Sequence, residues 1–263
     1  MNNKTRILPA LLAMGMIYTG SASAVILHNQ NVTPDVIFGS GNLNGSFTTD
    51  RANGVELGLR GKLRHNASGA PENTFNSNGD GTFSFAAGVA PTQAFPTAVW
   101  SFEWSINSNY DATSGYMLDG LTYALGIDSD PTQGTSFSIL DVINGINPGT
   151  GSVFWDHSTG NNSTTAATDS IAADAASYAS LINTNNVAQN SWKAHWFLAG
   201  FDPTVDGTYD FYLAAFDGGT QLARTDIQII VGQGGAAVPE PVTLLLLSTG
   251  LIGVGYAKKR LKS

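Results

Sequence analysis

The chain has 263 residues, 12 Lys or Arg against 20 Asp or Glu, for a formal net charge of −8. Half of the bases stand in the two end segments (Lys4, Arg6, Lys258, Lys259, Arg260, Lys262), so Val25 to Ala237 holds six bases against nineteen acids, a net −13. That acidity excludes nucleic acid and anionic membrane surfaces as partners of the body, the lack of Cys excludes disulfides, thiolate metal sites and thiol nucleophiles, and 42% apolar residues are enough for a buried core rather than disorder.

Residues 1–24 open with Lys4 and Arg6, continue as an apolar run from Ile7 to Tyr18, and exit through Gly20-Ser21-Ala22-Ser23-Ala24. The run is shorter than the ~20 residues of a membrane span. Ala22 and Ala24 take the small-x-small positions that a signal peptidase accepts, so a signal peptide cleaved before Val25 is expected.

The body, 25–231, is dominated by period-two alternation. Val55, Leu57, Leu59 and Leu63 alternate with Glu56, Arg60, Lys62 and Arg64. Trp100, Phe102, Trp104 and Ile106 alternate with Ser101, Glu103, Ser105 and Asn107. The pattern returns at Leu121–Ile127, Trp192–Leu198, Tyr209–Ala215 and Ile227–Val231, with shorter strand candidates at Val36–Phe38, Ser46–Thr49, Thr82–Ala86, Ser136–Leu140 and Val153–Trp155. Asn53-Gly54, Asn76–Gly81, Asn144-Gly145, Asn147-Pro148-Gly149, Asp206-Gly207 and Asp217-Gly218-Gly219 mark turns. About ten strands with one wet face each predict a mainly β fold, an antiparallel, jelly-roll-like β-sandwich. The polar stretch Thr159–Thr165 is expected as a loop. Thr168–Thr184, with Ile171, Ala175, Tyr178 and Leu181 at helical spacing, is expected as one short helix capped by Thr168 or Asp169.

Chemistry-bearing motifs are sparse. HExxH, G-x-S-x-G and phosphate-binding glycine loops are absent, and an enzyme is not expected. Asp156-His157-Ser158 has the residue types of a triad, but chain neighbours cannot adopt its relay geometry, so His157 is expected in a loop. His28, His65 and His195 are scattered. Glu103 has no same-face carboxylate two or four residues on and is expected on a solvated face. Arg60, Lys62 and Arg64 form a basic stripe expected to protect an edge or pair with neighbouring acids. Asn76, Asn78 and Asp80 carry oxygens at the spacing of the first half of a calcium loop, but Ala87 stands where the bidentate Glu belongs. Turn formation by the same residue types is the competing reading, and no other cofactor is expected. Of five tryptophans, Trp155, Trp192 and Trp196 near polar loops could stack on sugar rings, but alternation places Trp100, Trp104, Trp192 and Trp196 on apolar faces, which leaves Trp155 as the stacking candidate.

Gly232–Ala237 is small and uncharged and reads as a linker (232–237). Val238-Pro239-Glu240-Pro241 follows, then sixteen uncharged residues, Val242–Ala257, and a basic cluster of Lys258, Lys259, Arg260 and Lys262. Sixteen residues of helix rise about 24 Å, and flanking lysines can cover the shortfall against a ~30 Å hydrocarbon core. A single C-terminal transmembrane helix with its basic end in the cytoplasm is expected. The two prolines favour extended backbone around Glu240.

In order and spacing, these three elements resemble the PEP-CTERM sorting signal of Gram-negative bacteria, over 238–263. The resemblance implies recognition of Pro239, Glu240 and Pro241 by a membrane-embedded exosortase and a transient inner-membrane anchor at 242–257. Lys258, Lys259, Arg260 and Lys262 would be the stop-transfer element. It further implies removal of the tail and release to the cell surface or extracellular matrix. It transfers a destination and no activity. A structural or adhesive role in the exopolysaccharide layer is the expectation for the body. A carbohydrate-binding module is the alternative, and a secreted polysaccharide hydrolase a weaker third.

Overall fold

The computed structural model describes residues 26–39 and 41–236. The leader with Ala22 and Ala24, and the tail with Pro239–Pro241, the apolar run and the basic cluster, lie outside the described residues. Among the described residues no helix is long and apolar enough to cross a membrane.

Among the described residues eleven strands form: β1 (Leu27–Gln30), β2 (Phe47–Ala52), β3 (Val55–Leu63), β4 (Thr82–Phe85), β5 (Trp100–Asn107), β6 (Thr122–Asp128), β7 (Phe137–Leu140), β8 (Ser158–Gly160), β9 (Val187–Trp192), β10 (Gly207–Asp217) and β11 (Thr220–Val231). One helix, α1 (Ala175–Thr184), lies between β8 and β9. The strands build a six-stranded antiparallel sheet, β1-β2-β3-β5-β9-β8, and a five-stranded sheet, β4-β11-β10-β6-β7, antiparallel except where β4 runs parallel to β11. The mainly β expectation therefore stands, with two sheets and one helix.

Local chemistry explains the pairing. Asn53 and Gly54 take φ of 53° and 76°, the positive values that close a tight hairpin between β2 and β3. In β10 and β11 the expected alternation is seen residue by residue. Tyr209, Phe211, Leu213, Ile227 and Ile229 are buried, and Asp210, Tyr212, Asp226 and Gln228 face outward, half-buried. The inward side chains of both sheets enter one hydrophobic core, from Leu57 and Leu59 on β3 and Trp100–Ile106 on β5 to Leu125, Phe211 and Ile229. Phe102 lies 4.7 Å from Phe211 between ring centroids, and Trp104 5.2 Å from Trp192.

Five local expectations are corrected. The helix begins at Ala175, not Thr168. Asp174 caps it by accepting from Ser177 N at 2.7 Å, while Ser177 Oγ accepts from Asp174 N. Residues upstream are drawn instead into an isolated bridge between Ser170 and Thr159, and Thr159 and Gly160 of the expected loop belong to the edge strand β8, paired with β9. Val36–Phe38 and Val153–Trp155 are not strands, and Val153 makes only an isolated bridge to Ile146. Alternation stops at Trp192, because Ala194–Trp196 closes into a 3₁₀ turn that carries Trp196 outward, to 54% exposure. Gly232–Ala236 is not a free linker: Gly232 N donates to Phe85 O, Gly235 N to Thr208 Oγ1, and Gln133 N to Ala236 O at 2.9 Å.

Candidate functional site

The two sheets differ on their polar faces. That of β10 and β11 is open, but on β3 and β5 both faces are buried. The cover is the segment before β2. Val32, Val36 and Phe38 pack with Phe47 into a second, smaller apolar cluster. Gly58 makes room for it, since a side chain there would meet Val32 Cγ1 at 2.7 Å and Phe47 at 3.1 Å. Polar groups of the sheet beneath hold the cover at several points. Thr33 N donates to Glu56 Oε1 at 2.5 Å, Ile37 N to Gln189 Oε1 at 2.8 Å, and Asn107 Nδ2 to Thr33 O at 2.6 Å.

Arg60 is the centre of this layer. Its guanidinium donates from Nε to Glu103 Oε2 at 2.6 Å and from Nη1 to the carbonyls of Leu43 and Gly45 at 3.0 and 2.6 Å. The rings of Phe47 and Phe75 lie 4.1 and 3.9 Å from its central carbon. Lys62 donates to Asn42 and sits 3.6 Å from Glu103 Oε1. Glu56 takes Arg51 as its own partner. Burial lowers the pKa of Arg60 and Lys62 and raises that of Glu56, each partly offset by the opposite charge beside it. Glu103 is thus not a solvated acid, and Arg60 and Lys62 are not an exposed edge stripe. Both belong to a buried ion-paired layer.

The remaining sequence candidates are placed as follows. Asn76 Nδ2 donates to Ser84 O, Asn78 Nδ2 to Thr82 Oγ1 and Ser84 Oγ, and Asp80 Oδ1 accepts from the backbone and hydroxyl of Thr82. One carboxylate and two amides engaged in this way close a turn before β4. Among the described residues no group of three or more His, Asp or Glu converges for a metal.

His157 is buried rather than in an open loop. Its ring packs edge-on against Trp104 and Tyr178, and Nε2 meets Tyr178 Oη at 3.0 Å. The tyrosine hydroxyl donates to Ile143 O, so it accepts from Nε2–H, leaving Nδ1 unprotonated and unpartnered among the described residues. Burial depresses the His157 pKa to about 3. Asp156 faces away, toward Trp192 Nε1 and Asn190, so the Asp156-His157-Ser158 run assembles no relay.

Trp155 is 37% exposed, beside buried Phe154, and Trp196 is exposed beside Phe197. Phe154 and Phe197 are 6.4 Å apart between centroids and both pack on Trp192. The two exposed indoles therefore flank one aromatic knot, with Lys193 Nζ 5.9 Å from the Trp196 ring. Trp155 and Trp196 both stood near polar loops in the sequence, but alternation favoured an apolar face for Trp196, which the 3₁₀ turn at Ala194–Trp196 instead exposes. Comparison with protein families, with characterised proteins and with solved structures gives no match.

Proposed function

We propose that this chain is an exported protein, sorted by an exosortase-type system to the cell surface or extracellular matrix, where it serves as a structural or adhesive component of the exopolysaccharide layer. One observation carries the reading. Pro239-Glu240-Pro241, an uncharged run of sixteen residues and a terminal basic cluster follow one another without interruption, behind a leader ending in Ala22-Ser23-Ala24. Signal peptidase and exosortase are its processing partners, and residues 242–257 hold it transiently in the inner membrane. The cleaved body, 25–231 extended to 236, is a β-sandwich of jelly-roll type acting without catalysis. The burial of Glu103 against Arg60 supports that last point, because a hydrolytic carboxylate needs substrate access. The experiment is fractionation of expressing cells. Wild type belongs in the surface fraction, and Glu240→Gln should stay in the inner membrane; equal release of both would contradict the sorting reading.

Exposed Trp155 and Trp196 favour carbohydrate binding as a second reading. A glycan array separates the two: a matrix component without a sugar site gives no saturable signal, whereas a module gives one that Trp155→Ala abolishes.

A further inference from the structure

The last described residues leave the body at a defined place. The chain is tied by Gly232, Gly235 and Ala236 to β4, β10 and the loop after β6, so that Ala236 O accepts from Gln133 N. Pro239 is three residues further on and Val242 six. Fully extended chain puts these at most about 11 and 22 Å from Ala236. An enzyme that takes hold of Pro239–Pro241 therefore works against the folded body, not at the end of a long tether.

Where the chain leaves, the body carries a cleft of about 210 Å³ walled by Pro131, Leu198, Phe201, Val205 and Tyr209. Gly235 lies against Pro131 O, placing the exit on the rim. Val205 is 46% exposed there. The charges alongside are all negative. Asp202 lines the cleft, Asp206 lies against Gly232, Asp130 precedes Pro131, and no basic residue lines the cleft. An anionic lipid surface is repelled by this rim, and a basic protein surface is attracted to it.

We propose that this cleft is the docking surface for the tail-processing enzyme, taking an extracytoplasmic loop that presents an apolar side chain flanked by Lys or Arg. The proposal rests on the sorting reading and adds to it a second recognition element on the body. Two features set it apart from simple motif recognition: body substitutions far from the motif in sequence alter processing, and spacing between body and motif matters.

The test uses the full chain in a bacterium with an exosortase-type system, following tail removal by pulse–chase. Val205→Lys should slow processing at least about fivefold, as loss of apolar contact with added like charge does. Asp202→Asn with Asp206→Asn should slow it in the same direction. The amide keeps the Oδ1 acceptor that Thr204 N and Oγ1 use, so the fold is preserved. Ile171→Lys, at an exposed site in the segment before α1, should have no effect. Eight Gly/Ser residues inserted after Ala236 should make processing insensitive to Val205→Lys. Wild-type rates for both cleft variants, with Glu240→Gln still blocking removal, would overturn the docking surface and leave the sorting reading standing. Tail removal unaffected by Glu240→Gln would overturn both. Flotation of the purified body with phosphatidylglycerol vesicles, abolished by high salt, would overturn the enzyme partner in favour of lipid.

Discussion

Arg60 and Glu103 face each other across β3 and β5, both buried, with Nε and Oε2 2.6 Å apart and the guanidinium held between two phenylalanine rings. A charge pair so placed ties the cover segment to the sheet, because the carbonyls of Leu43 and Gly45 complete the shell of Arg60. Breaking one partner leaves the other charged and dry. Arg60→Met should therefore cost roughly 3–5 kcal/mol in urea unfolding, and Arg60→Met with Glu103→Leu should recover a good part of that loss. Equal losses for the single and double variants would mean that the pair is not what holds this layer.

The cover also depends on a missing side chain. Gly58→Val puts carbon where Val32 and Phe47 already sit, and should cost about 1–3 kcal/mol. The damage belongs to the cover, so backbone amides of residues 32–38 should exchange hydrogen faster while those of β10 and β11 stay protected. Uniform loss of protection across both sheets would contradict a locally seated cover.

His157 gives the body a pH dependence with a definite sign. Its folded pKa of about 3 lies below the ordinary value of 6.5, so in between the unfolded chain binds the proton and the folded chain does not. Stability from this group is complete above pH 6.5 and declines as pH falls toward 3, by an amount on the order of 5 kcal/mol. His157→Gln should flatten the acid limb of stability against pH relative to wild type. An unchanged acid limb would assign the dependence to other groups.

The turn at Asn76, Asn78 and Asp80 spends its side chains on Ser84 and Thr82. Melting of the purified body should accordingly be the same in excess calcium and in EDTA. A rise of several degrees with calcium would restore the metal reading.

Alternation marks residues whose two faces meet different surroundings, and it located the core side of every long strand from Leu57 to Ile229. It could not tell which polar face meets water. Glu103 read as solvated, and Arg60 and Lys62 as an edge stripe or as partners of acids, because their cover comes from residues 31–39 and 41–45, remote in sequence and irregular in backbone; the pairing with Glu103 is what the structure shows. Val32, Val36 and Phe38, apolar residues at no regular period, were the visible trace of it. The helix start was misplaced because Thr168 and Asp169 are as good caps in isolation as Asp174, and only pairing of Ser170 with Thr159 takes them out of contention. The elements of the proposed sorting signal were legible because their order in sequence is their whole pattern. The tail's point of departure was not, because Gly-Gln-Gly-Gly-Ala resembles a free linker until Thr208 and Gln133 are seen to hold it.

The most direct test of the exported, sorted protein is intact-mass spectrometry of material recovered from the cell surface. The expected species begins at Val25 and lacks the apolar and basic residues 242–263, so it keeps six bases against twenty acids, Glu240 included, a net −14. A mature surface protein that still carries Val242–Ser263 would contradict removal by a sorting enzyme.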